Sequence, residues 1–149
     1  MIVGDTTQQL KGSAVSRLKK EIIAMQRRYP QLVVQVVMHM FPAEHPFAMY
    51  AFWLLNAGAF AGEGQRGLKN HSLLILVDPK RNESAIMLGY GLEALVAEEA
   101  TGNILELAEP AFESGKWETG LQIILEGIDE LLASISVEGE GGLERLNEF

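Results

Sequence analysis

The residues of this chain whose types could do chemistry gather in one short stretch, Gly89-Tyr90-Gly91 followed by Glu93 and Glu98. Two carboxylates across a helix start can face one cleft and contribute to a divalent-cation site. They can equally solvate the helix and complement the positive end of its dipole. Calcium takes about six to eight oxygen ligands, so two carboxylates alone make a poor site, and helix solvation is the stronger reading. The Gly-Tyr-Gly run offers backbone N–H groups at a strand end, a concavity suited to an anion or to the rim of a cleft. Its other reading is a strand-to-helix turn that requires positive φ, and the two readings are compatible.

Other chemistry-bearing residues are scattered. Asn70 and His71 precede an apolar run and sit beside the expected cleft, where an imidazole titrates near neutral pH. His39, His45 and His71 have no zinc spacing, and surface or cap positions suit them better than ligation. Gly62-Glu63-Gly64-Gln65-Arg66-Gly67 lacks the Gly-Lys-Ser/Thr ending of a phosphate loop and reads as a flexible rim of the cleft. With no cysteine, thiol nucleophiles, disulfides and cysteine-based zinc sites are excluded. No Ser-His-Asp order stands out either, so no catalytic constellation is assigned.

The elements that must position these residues follow from hydrophobic periodicity. Ala14, Val15, Leu18, Ile22 and Met25 define an amphipathic helix over Ser13 to Arg28, with Ser13 as N-cap, ended by Tyr29-Pro30. The β-branched run Val33 to Val37 predicts a strand over Val33 to Met38. Phe47 to Phe60 predicts a buried helix entered through Pro46. Leu73 to Val77 and Ala85 to Leu88 flank Asp78-Pro79-Lys80-Arg81-Asn82 as a β-hairpin. Helical patterning then covers Leu92 to Val96, Asn103 to Phe112 and Trp117 to Leu132. The expectation is an α/β domain, a small mixed sheet flanked by helices on both faces, because three apolar strands need cover on both sides. An additional short edge strand is compatible with the pattern, and no segment is assigned to it. The 149 residues are read as one domain over residues 1–136 and a flexible acidic tail over residues 137–149.

The formal charge of −8 repels a phosphate backbone, so nucleic acid is not expected as a partner. No stretch approaches the ~20 apolar residues of a transmembrane segment, and the start lacks the order of a signal peptide. The chain reads as soluble. Its compartment stays open: cytoplasmic if the sequence is complete, exported or membrane-tethered if it has been trimmed.

From Leu73 to Leu121 the chain resembles the TPM domain family, named after a thylakoid-lumen protein, a photosystem repair protein and a nematode receptor modulator. The resemblance rests on an ordered series: Leu73-Leu74-Ile75-Leu76-Val77, a charged turn, Gly89-Tyr90-Gly91-Leu92-Glu93, Glu98, Gly102, Pro110, Phe112, Gly115 and Gly120-Leu121. It implies a small sheet flanked by helices, with acid-phosphatase activity and calcium binding proposed for some relatives. Family members commonly carry Asp then Asn-Gly or Asp-Gly where this chain has Lys69-Asn70-His71-Ser72. They tend to read Gly-Asp-Tyr where it has Gly115-Lys116-Trp117. Any Ca2+ or other divalent cation would therefore be held weakly, with Glu93 and Glu98 as the remaining candidates.

The stretch Phe47 to Phe60 departs from the usual helix on the outside of a small α/β domain, which keeps a polar face. No Asp, Glu, Lys or Arg falls between His45 and Glu63. Its apolar circumference must be covered by the domain, by the C-terminal segment, by a second copy or by a protein partner. The interface reading centres on Phe47, Tyr50, Phe52 and Trp53. Two functional classes follow: an accessory or protein-interaction domain, which the lost acids favour, and a metal-dependent phosphoester hydrolase, which needs an ion to polarise phosphate and activate water.

Overall fold

The computed structural model of the chain describes residues 2–56 and 71–138. Its strands are β1 (Val3–Asp5), β2 (Val33–Met38), β3 (Ser72–Asp78) and β4 (Glu83–Leu88). Its helices are α1 (Gly12–Arg28), α2 (Phe47–Asn56), the short α3 (Tyr90–Glu93), α4 (Ala100–Glu113) and α5 (Trp117–Glu138). The strands form one mixed sheet in the order β1-β2-β3-β4, parallel from β1 to β3 and antiparallel between β3 and β4.

Alternation along the strands sorts side chains into two unequal cores. Val34, Val36, Met38, Leu73, Ile75, Val77 and Ile86 pack with α1, α4 and α5 in the larger one. Leu76, with Val37, Ala85 and Met87 partly buried around it, packs with Phe47 and Ala51 of α2 in the smaller one. Helices therefore cover both faces, as the apolar continuity of the strands requires.

Several boundaries differ from the sequence reading. The additional edge strand is Val3–Asp5, paired in register Val3 to Val36, and Val3 is buried. Helix α1 begins at Gly12 with Lys11 at the N-cap, so Ser13 lies inside the first turn and caps nothing. The helix expected over Leu92 to Val96 is displaced to Tyr90–Glu93, and β4 starts two residues before Ala85. Helix α2 is described as far as Asn56, and residues 57–60 of the expected helix lie outside the described residues. Helix α5 runs to Glu138, into the first residues of the expected tail. The remainder of that tail lies outside the described residues, as does the glycine-rich stretch 62–67.

Two glycines of the C-terminal half have a definite mechanical role. Gly115 adopts φ +74 just past α4, where the N–H of Gly115 donates to the Phe112 carbonyl and that of Lys116 to the Ala111 carbonyl. A left-handed residue is what such a helix ending requires. At Gly120 an added Cβ would lie 2.2 Å from the Phe112 ring, which itself stacks on Trp117 at 5.6 Å. The absent side chain lets α5 fold back against α4.

The β3–β4 turn is organised by a fully buried carboxylate. Asp78 Oδ1 accepts from the backbone N–H of Lys80 (2.9 Å) and of Arg81 (3.1 Å), while Oδ2 accepts from the N–H of Phe41 (2.9 Å). Arg81 approaches the same carboxylate at 3.6 Å and donates to the carbonyls of Pro42 and His45. One acid thus fixes the hairpin turn, and through Arg81 it fixes the chain leading into α2. Asp78→Ala strips the acceptor from these amides and should lower stability by about 2–4 kcal/mol. The change is read as a fall in the urea midpoint at unchanged slope.

Between α1 and α5, Arg17 pairs with Glu118 (2.6 Å) and Arg28 with Asp129 (2.8 Å). Glu21 has no such partner among the described residues: burial, and then the nearby Glu126, Glu118 and Asp129, raise its carboxyl above the usual carboxylate range. One of its oxygens is buried with no hydrogen-bond partner among the described residues. A raised folded-state value means the native protein binds this proton more tightly than the unfolded chain does. Stability from this residue therefore rises as pH falls through the raised value towards the ordinary one. The hydrogen bond from Arg17 lowers Glu118, whose contribution is lost on further acidification, below the ordinary value. Glu21→Gln should raise stability at neutral pH by on the order of 0.5 kcal/mol after solvent screening, or ~1–2 °C in Tm. It should also remove the stability gain between pH 7 and the ordinary carboxylate range, which paired melts of wild type and variant would reveal.

Candidate functional site

A cleft of about 560 Å³ opens beside the outer edge of β4. Ile86, Met87, Leu88 and Gly89 form its floor, and Phe52, Leu55 and Asn56 of α2 form one wall. The other wall comes from Tyr90 and Glu93 of α3, then Val96, Ala97, Glu98 and Thr101 leading into α4. The antiparallel turn back from β3 places the end of β4 and α3 together here, while the smaller core draws α2 across the opposite face. Among the described residues the walls carry two carboxylates and no Lys or Arg.

The structure brings Gly89, Tyr90, Glu93 and Glu98 to one surface, and Tyr90 stands 79% exposed at its rim. Gly91 is buried behind it. Positive φ, expected of the Gly-Tyr-Gly turn, is not found: Gly115 alone among the described glycines adopts it. Gly89 is extended (φ −69, ψ 167) and begins α3, which is only one turn long and gives no helix terminus able to hold an anion. His71, expected at a surface or cap position, is fully buried at the foot of β3, where its carbonyl accepts from the N–H of Val33. It does not line the cleft. Asn70 lies outside the described residues. His39 lies near the surface beside Thr6 Oγ1 (2.7 Å), and His45 is exposed.

The aromatic residues proposed for an interface divide in two. Phe47 is buried in the smaller core, whereas Phe52 and Trp53 are 57% and 45% exposed. Tyr50 lies between these states. It stacks on Phe41 at 4.6 Å, donates its hydroxyl to the Pro42 carbonyl, and lies under the Arg81 guanidinium at 5.5 Å. Trp53 meets Tyr50 edge to face at 5.7 Å and His45 at 5.3 Å. Its outward position is therefore held by neighbours on both sides. Sequence reading overlooked the part of Phe52 and Leu55 in the cleft, because helix α2 and strand β4 are brought together only by the sheet. The uncharged character of α2 beside the known acids was the signal available.

With this geometry in place, the chain can be set beside known proteins. The family model of the TPM domain matches residues 3–131. The chain belongs to the TPM domain family. Among solved structures it is similar to the N-terminal domain of a P. gingivalis protein determined by solution NMR, with TM-score 0.74 and 20% identity over 89% of this chain and 82% of that one. It is also similar to the N-terminal domain of the cg2496 protein of Corynebacterium glutamicum, with TM-score 0.62 and 18% identity over 92% of this chain and 81% of that one. At these identities the likeness concerns the fold. No curated protein matches the chain.

The described residues fit a divalent cation poorly. No group of three or more His, Asp or Glu among them converges on a point where a metal ion could sit. Glu93 and Glu98 share a cleft whose other lining is apolar or weakly polar, well short of a calcium shell. Millimolar Ca2+ or Mg2+ should leave the Tm unchanged, since a ligand of the native state alone would raise it. Hydrolysis of a generic phosphomonoester should stay at background. Submillimolar calcium affinity in calorimetry, abolished by Glu93→Gln or Glu98→Gln, would be the contrary result.

Proposed function

We propose that the chain is a TPM-type accessory domain that works by protein interaction, through the outer face of α2 and the adjoining rim of the cleft. The observation that carries this reading is the exposure of Phe52, Trp53 and Met49 on a helix without a charged residue. Large apolar side chains gathered on a surface mark contact sites, whereas singly scattered ones do not. Trp and Tyr dominate interface energies when their orientation is set beforehand, as the contacts of Trp53 with His45 and Tyr50 set it. The simplest such assembly is an isologous homodimer. A metal-dependent phosphoester hydrolase, the alternative, draws on the shared position of Glu93 and Glu98 alone, and no group of three or more metal-ligating side chains accompanies them among the described residues. No helix among the described residues is long and apolar enough to cross a membrane.

Sedimentation velocity at micromolar concentration is expected to show a dimer for the wild type. Trp53→Asp should yield a folded monomer, because burying an unpaired carboxylate in the contact is strongly unfavourable. A wild type that stays monomeric across the micromolar range would remove the homodimer.

A further inference from the structure

The ladder between β3 and β4 determines which main-chain groups of β4 face outward. Leu73 pairs with Leu88, so Ser72 lies opposite Gly89, and the N–H of Gly89 donates to the Ser72 carbonyl at 2.9 Å. Hydrogen-bonded and non-bonded pairs alternate along an antiparallel ladder. The inward groups are then those of Gly89, Met87 and Ala85. The N–H and C=O of Leu88, Ile86 and Ser84 point away from β3, and among the described residues no strand pairs with them. From Ser84 to Leu88 this edge offers about 14 Å of backbone unpaired by any strand among the described residues, and its Ile86–Leu88 end forms the floor of the cleft.

The walls differ on the two faces of that edge. Met87 and α2 belong to the smaller core, so Phe52 and Leu55 present an apolar wall on that side. Ile86 and Leu88 belong with Val96 to the larger core's side, where Glu93 and Glu98 stand in the wall. A strand added at this edge would direct alternate side chains to an apolar wall and an acidic wall.

We propose that the β4 edge binds an extended segment of another protein by strand addition, the segment alternating apolar residues with Lys or Arg. This rests on the reading of the chain as an interaction domain and adds, beside the α2 contact, a second partner at the neighbouring β4 edge. Main-chain pairing supplies affinity and alternate side chains supply selection, the usual division in β-augmentation. Charge decides between occupants. A second copy pairing β4 to β4 would bring Glu83, Glu93 and Glu98 of two chains of charge −8 towards each other, whereas a basic segment meets carboxylates with no competing cation among the described lining residues.

The probe is a capped six-residue peptide alternating valine and lysine, titrated into ¹⁵N-labelled full-length chain. Amide shifts should concentrate at Ser84, Ile86 and Leu88. N-methylation of the peptide's alternate amides should weaken binding at least ~10-fold, the loss expected of more than one main-chain hydrogen bond. A valine–glutamate peptide should fail to bind. Glu93→Gln combined with Glu98→Gln should weaken the valine–lysine peptide ~5-fold and flatten its salt dependence. Ser84→Pro, tolerable where an edge N–H faces solvent, should also weaken it, and the N-methylated peptide gives the same test without altering the protein. Shifts confined to Met49 and Trp53 with the β4 amides unmoved would overturn the edge site while leaving the interaction reading intact. Absence of any shift at millimolar peptide would overturn the edge site as well. Concentration-dependent shifts of Ser84, Ile86 and Leu88 without peptide would assign the edge to a second copy and overturn the proposed partner.

Discussion

The fold depends on a single strand that cannot be left uncovered on either side. Every residue of β3, from Ser72 to Asp78, is buried, and neighbouring strands occupy both of its edges. Leu73, Ile75 and Val77 require α1, α4 and α5 on one face, while Leu76 requires α2 on the other. Each of these aliphatic side chains stabilises the fold by about 1.5–3 kcal/mol on burial, which no exposed alternative matches. The two covers are unequal. The larger face has three helices that bury one another, and the smaller has a helix that turns in Phe47 and Ala51 and leaves Phe52 and Trp53 outside. The surface proposed for interaction is thus a by-product of how β3 is buried.

Most of the architecture was readable because the relevant signals are local and strong. The run Leu73 to Val77 and the valines of β2 admit strands and little else, and the three-four spacing in α1 points one face inwards. Strand β1 escaped because its three residues include Gly4 and Asp5, both poor strand formers, and it exists only through register with β2. Ser13 was a reasonable cap by type, yet the helix is capped two residues earlier, at Lys11. The cleft was harder to foresee. Glu93 and Glu98 could be paired as the acids kept from the family pattern, but their apolar counterpart on α2 is distant in sequence, and the burial of His71 depends on packing around the foot of β3.

The positions that carry the family resemblance now divide by physical role. Gly115 provides a left-handed helix ending, Gly120 admits α5 against Phe112, and Leu73 to Val77 is the buried strand. These requirements are mechanical, so they are met regardless of what the domain does. The resemblance associates the acidic positions where this chain has Lys69-Asn70-His71-Ser72 and Lys116 with ion binding in some relatives instead. A chain can keep the first set intact while losing the second, which is why membership in the family and activity are separate questions here.

The two ion pairs between α1 and α5 carry a consequence of another kind. Arg17 meets Glu118 and Arg28 meets Asp129, so both contacts span the same separation of 101 residues, and the two helices run in the same direction with matched registers. The first described helix therefore has its partner in the last described one, some 100 residues later in the chain. Until α5 emerges, the apolar stripe of Leu18, Ile22 and Met25 lacks part of its cover, and β1, the outermost strand, depends on that unfinished layer. Closure of the larger core waits on α5, and the segments made before it must stay unaggregated until it emerges.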